Sequence, residues 1–141
     1  MSAHRERGQV TVFVLGMAMV AVAVVGVAVD GTRAFLARRT LQNAADSAAL
    51  AGAGELDEAR LYGNGGRVVV LDPVSARRLA VEWLARRGLR VEAEIVADRS
   101  RVVVALRDEV ATSFLGILGV GSIPVGAQAD AEPRAGSTLK P

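Results

Sequence analysis

GQVTVFVLGMAMVAVAVVGVAVDGTRAFLARRTLQNAADSAALAGA, residues 8–53, decides the fold. Its first part, residues 10–29, carries no charge, and only Thr11 interrupts an otherwise apolar run. At 1.5 Å per residue such a helix spans roughly 30 Å, the hydrocarbon thickness of a bilayer. A secretory signal sequence has a shorter apolar centre of about 7–15 residues and a small-x-small cleavage site at its end. Here Ala21-Val22-Ala23 matches that pattern only inside the apolar run. A buried helix of a soluble core would show polar residues on one side over five turns. The segment therefore predicts a transmembrane anchor. Its β-branched residues do not oppose this, because in lipid only a helix satisfies its own backbone within one segment. Gly16, Ala18, Ala21, Ala23, Gly26 and Ala28 give it a surface of small residues, but no GxxxG pattern is present.

From Asp30 the pattern stays helical and changes character. Ala34, Ala37, Leu41, Ala44, Ala45, Ala48 and Ala51 recur at spacings of three and four and form a narrow apolar stripe. Arg38, Arg39, Gln42, Asn43, Asp46 and Ser47 occupy the other side. Alanine is the best helix former, so this stem needs little tertiary help. A stripe of methyl groups allows another helix to approach closely. It could serve the chain's own domain or a partner chain, and the sequence does not choose between them. Gly52 and Gly54 end the helix.

The remainder reads outward from the stem. Residues 53–66 are acidic and then glycine-rich, as in a linker; no Gly-Lys-Ser/Thr follows the glycines, so they are not a phosphate loop. RVVVL at 67–71 is a short strand. Asp72-Pro73 is a helix start, with a helix to about Arg87 and a stop at Gly88. Trp83, the only tryptophan, falls on the apolar face of that helix and is the expected core anchor. Residues 89–97 alternate with period two, Asp98-Arg99-Ser100 is a turn, and residues 101–106 return. Residues 109–118 predict a short apolar helix and residues 123–131 a last strand. The tail from 133 to 141 is polar and reads as disordered.

The expected fold class is thus α+β. An N-terminal transmembrane helix (9–29), preceded by a polar leader (1–8), continues into an alanine-rich stem (30–52). After a linker (53–66) comes a small α/β-sandwich domain (67–132) of order βαββαβ, ferredoxin-like or a reduced variant with a helix on three antiparallel strands.

Composition narrows the function. There is no cysteine and one histidine, His4, which removes disulfides, thiol chemistry, Cys/His metal sites and histidine-dependent nucleophilic catalysis in the domain. Glu92 and Glu94 share one face of a strand and read as its solvated side. No catalytic residue, cofactor or metal is expected. The net charge of +2 is spread along the chain with acids interspersed, unlike the focused basic patch of a nucleic-acid binder. Cations flank both ends of the apolar run, so charge does not orient it. The short N-terminal side and the large C-terminal side suggest a cytoplasmic N-terminus with the domain outside the cytoplasmic membrane.

A basic start with Arg7-Gly8, a long apolar run, Val29-Asp30, Arg38-Arg39 and above all LQNAADSAALA at 41–51 resemble the TadE/TadG-like proteins of tight-adherence (Flp-type) pilus assembly. A weaker likeness continues through FLGILGVGSIPVGAQADA to residue 131. The resemblance implies a non-enzymatic, membrane-anchored, pilin-like component of a pilus assembly or secretion system. It would act by helix packing and subunit assembly, with the bilayer and other pilus-assembly or pilin-like subunits as partners, as a homo- or hetero-oligomer. Gly8-Gln9 is the candidate point of prepilin-type processing. Counting from Gln9, the fifth residue is Phe13, where prepilins carry Glu, a departure that points toward an assembly-associated relative. The longer members' metal-binding domain uses an Asp-x-Ser-x-Ser motif that does not occur here. Asp30, Leu41, Ala44, Ala45, Asp46 and Ala48 are the candidate assembly and stem-packing residues. The alternatives are an envelope binding or sensor domain unrelated to pili, and a small secreted domain with a cleaved signal peptide.

Overall fold

The structure is a computed structural model that describes residues 5–55, 63 and 70–133. A single helix, α1 (Arg5–Ala53), runs without interruption through both the apolar run and the stem. There follow α2 (Pro73–Arg86), β1 (Glu92–Ala97), β2 (Val102–Ala111), a 3₁₀ turn (Leu115–Leu118) and β3 (Ser122–Ala131). Among the described residues the sheet has three antiparallel strands in the order β1-β2-β3. The fold is α+β, a long apolar helix followed by a helix and a three-stranded sheet, which is the reduced form of the expected arrangement. Residues 67–69 of the expected first strand lie outside the described residues, as does most of the linker and the tail from 134. Leu71 makes an isolated bridge, its amide donating to the Arg99 carbonyl at 3.1 Å.

The chain divides into two compact units. One holds the stem part of α1 from Ala37, with α2, β1 and most of β2 and β3. Its core is built from small side chains. Leu41, Ala44, Ala45, Ala48, Ala49 and Ala53 of α1, with Ala76, Ala80 and Leu84 of α2, are buried together with Ile95, Val102, Val104, Leu106, Val125 and Ala129 of the sheet. The β1–β2 register sets Ile95 opposite Val104 and Ala97 opposite Val102, and Glu92 opposite Arg107. Strand periodicity therefore gives one face to the core and the other to water. The two helices come close at Gly52. A Cβ added at Gly52 would lie 2.8 Å from the Ala76 carbonyl oxygen and 3.2 Å from a Val102 methyl.

α2 begins as its sequence dictates. Asp72 has extended backbone angles, accepts a hydrogen bond from the Val74 amide at 3.2 Å, and is followed by Pro at the first turn. The helix ends before Gly88, whose φ of +65° is open to glycine without strain. Trp83 is half-buried and lies outside the fully buried core; the Arg87 guanidinium sits 4.7 Å from its ring centroid. The expected core anchor is thus a ring shielded on its open face by a cation.

The other unit holds α1 up to Leu36 together with residues 109–123. Here the expected helix over 109–118 is not formed. Glu109, Val110 and Ala111 extend β2, and only Leu115–Leu118 turn, as 3₁₀. Two causes are visible. The Thr112 amide bonds the Gly121 carbonyl at 3.1 Å and closes a hairpin, and the amides of Ser113, Phe114 and Leu115 are engaged by a side chain from α1. Pro124 is tolerated within β3 because that strand is at the sheet edge.

Candidate functional site

The apolar part of α1 presents its side chains outward. From Val10 to Val27 its large apolar residues are more than half exposed. With a mean hydropathy of 2.8 over its best window, it is long and apolar enough to cross a membrane. A contiguous exposed apolar surface of this length is the kind that a bilayer covers.

At the end of this run stands Asp30, the one buried charged side chain among the described residues, at 1 % exposure. Its Oδ1 accepts from the Ser113 amide at 2.9 Å, and its Oδ2 accepts from the Phe114 amide at 2.9 Å and the Leu115 amide at 2.7 Å. An ionised carboxylate is an acceptor only, with two oxygens to satisfy, and three consecutive amides match that demand. One helical turn on, the Arg33 guanidinium donates to the Ser113 hydroxyl at 2.5 Å. Thr32 returns its hydroxyl to the Ala28 carbonyl of the preceding turn at 2.7 Å. Asp30 is thus a clasp that fixes the β2–β3 hairpin loop to α1.

Above the clasp the loop lies along the helix. Phe114 meets Gly26 so closely that a Cβ there would fall 2.7 Å from the Phe114 Cβ. Leu15, Met19, Val22 and Gly26 on the helix and Phe114 and Ile117 on the loop line an apolar groove of about 320 Å³. Gly26 has a specific use: it lets an aromatic side chain lie against the helix backbone.

The sequence-derived candidates separate into three groups. Gly8 and Gln9 lie in the first turns of α1. Leu41, Ala44, Ala45 and Ala48 are buried inside the chain's own unit. The middle of the stripe therefore faces the chain's own core, while Ala34, Ala37 and Ala51 stay half-buried. Asp46 is exposed on the other side of α1 and accepts from the Gln42 amide nitrogen at 3.1 Å. The same Gln42 nitrogen donates to the Gln128 carbonyl at 3.0 Å and ties the stem to β3. The structure brings Asp30 together with none of the other candidates. Its partners, Ser113 to Leu115, were not candidates. The signal that marks them is the absence of any charge from residue 110 to 129.

Elsewhere the titratable groups are structural. The Ser100 hydroxyl and the Ser100 and Arg101 amides hold the Asp98 carboxyl below the usual carboxylate range and close the β1–β2 turn. Hydrogen bonds from Ser75 and the Val74 amide do the same for Asp72. Among the described residues no group of His, Cys, Asp or Glu could hold a metal ion.

Residues 8–55 match the family model of Flp pilus-assembly TadE/G-like proteins (Tad), about a third of the chain. The match covers the apolar run, Asp30 and the alanine stripe, and ends two residues past α1. No curated protein and no solved structure matches the chain. The matched segment contains the one helix among the described residues that is long and apolar enough to cross a membrane.

Proposed function

We propose, taking the TadE/G-like segment as premise, that this chain is a non-enzymatic, pilin-like subunit of an Flp-type pilus assembly or secretion apparatus, working by helix packing. The observation that carries this is the use of α1. One unbroken helix is exposed and apolar over its first part and built into a folded domain over its second. The N-terminus stays in the cytoplasm, the domain stands outside, and Gly8-Gln9 is the processing point.

Because the stripe from Leu41 to Ala48 is filled from within, assembly contacts fall on the opposite side of the stem. Arg39, Asn43, Asp46 and Leu50 recur there at helical spacing, and all are exposed. A photo-reactive amino acid at Leu50 should crosslink to other pilus-assembly membrane proteins in the native host. The same probe at Glu82, exposed on α2, should not. Equal crosslinking from both positions, or normal piliation after deletion of the gene, defeats the proposal. The mass of the mature chain tests processing: a start at Gln9 supports it, and an uncleaved N-terminus excludes it.

A further inference from the structure

We propose that the β2–β3 hairpin loop, residues 112–121, is a second membrane element, inserted among the acyl chains of the bilayer alongside α1. It rests on the reading of α1 as a membrane anchor.

Four observations carry it. The loop is uncharged throughout, within a stretch free of Asp, Glu, Lys and Arg from residue 110 to 129. It lies against the part of α1 from Leu15 to Gly26, about 16 Å of helix and so about half of a hydrocarbon core. A loop held at that depth meets the same surroundings as the anchor. It leaves large apolar side chains uncovered, with Ile117 79 % and Leu118 66 % exposed at the open groove. These two residues continue the lipid-facing surface of α1 and point to the same occupant. Lastly, most of its backbone amides have partners within the protein. Non-helical chain survives at membrane depth only where its polar groups find partners in the protein. The Ser113, Phe114 and Leu115 amides are held by Asp30, the Thr112 amide by the Gly121 carbonyl, the Ile117 amide by the Phe114 carbonyl, the Gly119 amide by the Gly116 carbonyl and the Val120 amide by the Leu115 carbonyl. The Thr112 hydroxyl donates to the Val120 carbonyl.

Asp30 then has a defined task. It sits where α1 leaves the apolar run and satisfies the amides of the chain entering the bilayer, while its own charge is satisfied by them.

The natural absence of cysteine makes the test direct. The full chain carrying Ile117→Cys is labelled with bimane and placed in phosphatidylethanolamine/phosphatidylglycerol nanodiscs. Val20→Cys in the anchor and Glu82→Cys on the domain are the references, and Leu118→Cys is a second loop position. Lipids brominated on the acyl chain should quench the label at Ile117 and Leu118 as much as at Val20, and iodide in the water should quench only Glu82. Quenching of the loop labels by iodide, or by neither agent as in a contact with a second protein, overturns the inserted loop while a lipid-quenched Val20 keeps the anchor. If Val20 itself is quenched by iodide and not by brominated lipid, the anchor falls and the inserted loop with it.

Discussion

Replacing Gly52 by alanine should destabilise the stem-bearing unit, although the change favours helix. In an unobstructed helix interior Gly→Ala gains about 0.5–1 kcal/mol. At Gly52 the new methyl would sit 2.8 Å from the Ala76 carbonyl oxygen, closer than real Cβ contacts allow, and 3.2 and 3.3 Å from both methyls of Val102. Val102 is fully buried and cannot swing out. The Ala76 carbonyl belongs to the first turns of α2, which Asp72 and Pro73 fix in place. Relief therefore requires α1 and α2 to separate by several tenths of an ångström, which loosens the alanine contacts along their whole interface. Overpacking of this kind costs about 1–3 kcal/mol, so the net loss is roughly 1–2 kcal/mol. For a unit of this size that lowers the melting temperature by about 4–8 °C per kcal/mol. Trp83 on α2 provides the signal, read by fluorescence during thermal or urea unfolding of the full chain in micelles. Gly31→Ala is the matched control, since nothing lies within 4 Å of the added atom there. It should leave the Trp83 transition unchanged and raise α1 stability by far-UV dichroism. A Gly52→Ala chain as stable as the parent would show that the stem does not pack at this distance.

Three further outcomes follow from the same geometry. Asp30→Asn should release the 112–121 loop, because an amide nitrogen must then face at least one backbone N–H; hydrogen exchange at Ser113, Phe114 and Leu115 should accelerate, and unchanged protection would refute the clasp. Leu106→Ala, at a site 1 % exposed, should cost about 2–5 kcal/mol as a cavity opens under β2, measured by urea unfolding. Acidification should weaken the β1–β2 turn. Asp98 binds its proton less tightly folded than unfolded, so its contribution is full above the unfolded value of about 3.9 and is lost as pH falls through the lower folded value. Asp98→Asn should flatten the fall in stability below about pH 4, and an unaltered pH profile would show that Asp98 carries none of it.

The sequence by itself determined the parts that local physics controls. An uncharged run of bilayer length must be a helix in lipid, and alanine at three- and four-residue spacing extends it, so α1 was legible through to Gly52. Asp72-Pro73 and Gly88 bounded α2, and period-two alternation marked β1, the start of β2 and β3. What only the tertiary structure decided were interactions between residues far apart in sequence. The alanine stripe fits any close helix, and burial shows that its middle, Leu41 to Ala48, faces the chain's own core. Residues 109–118 carry helix-compatible apolar spacing, but Val110 and Ala111 are drawn into the sheet, and the next amides are taken by a carboxylate 83 to 85 positions earlier. Asp30 read as an interface residue at the end of an anchor because its charge is local information. That it holds a hairpin loop depends on where the fold returns the chain, and no periodicity or propensity encodes that.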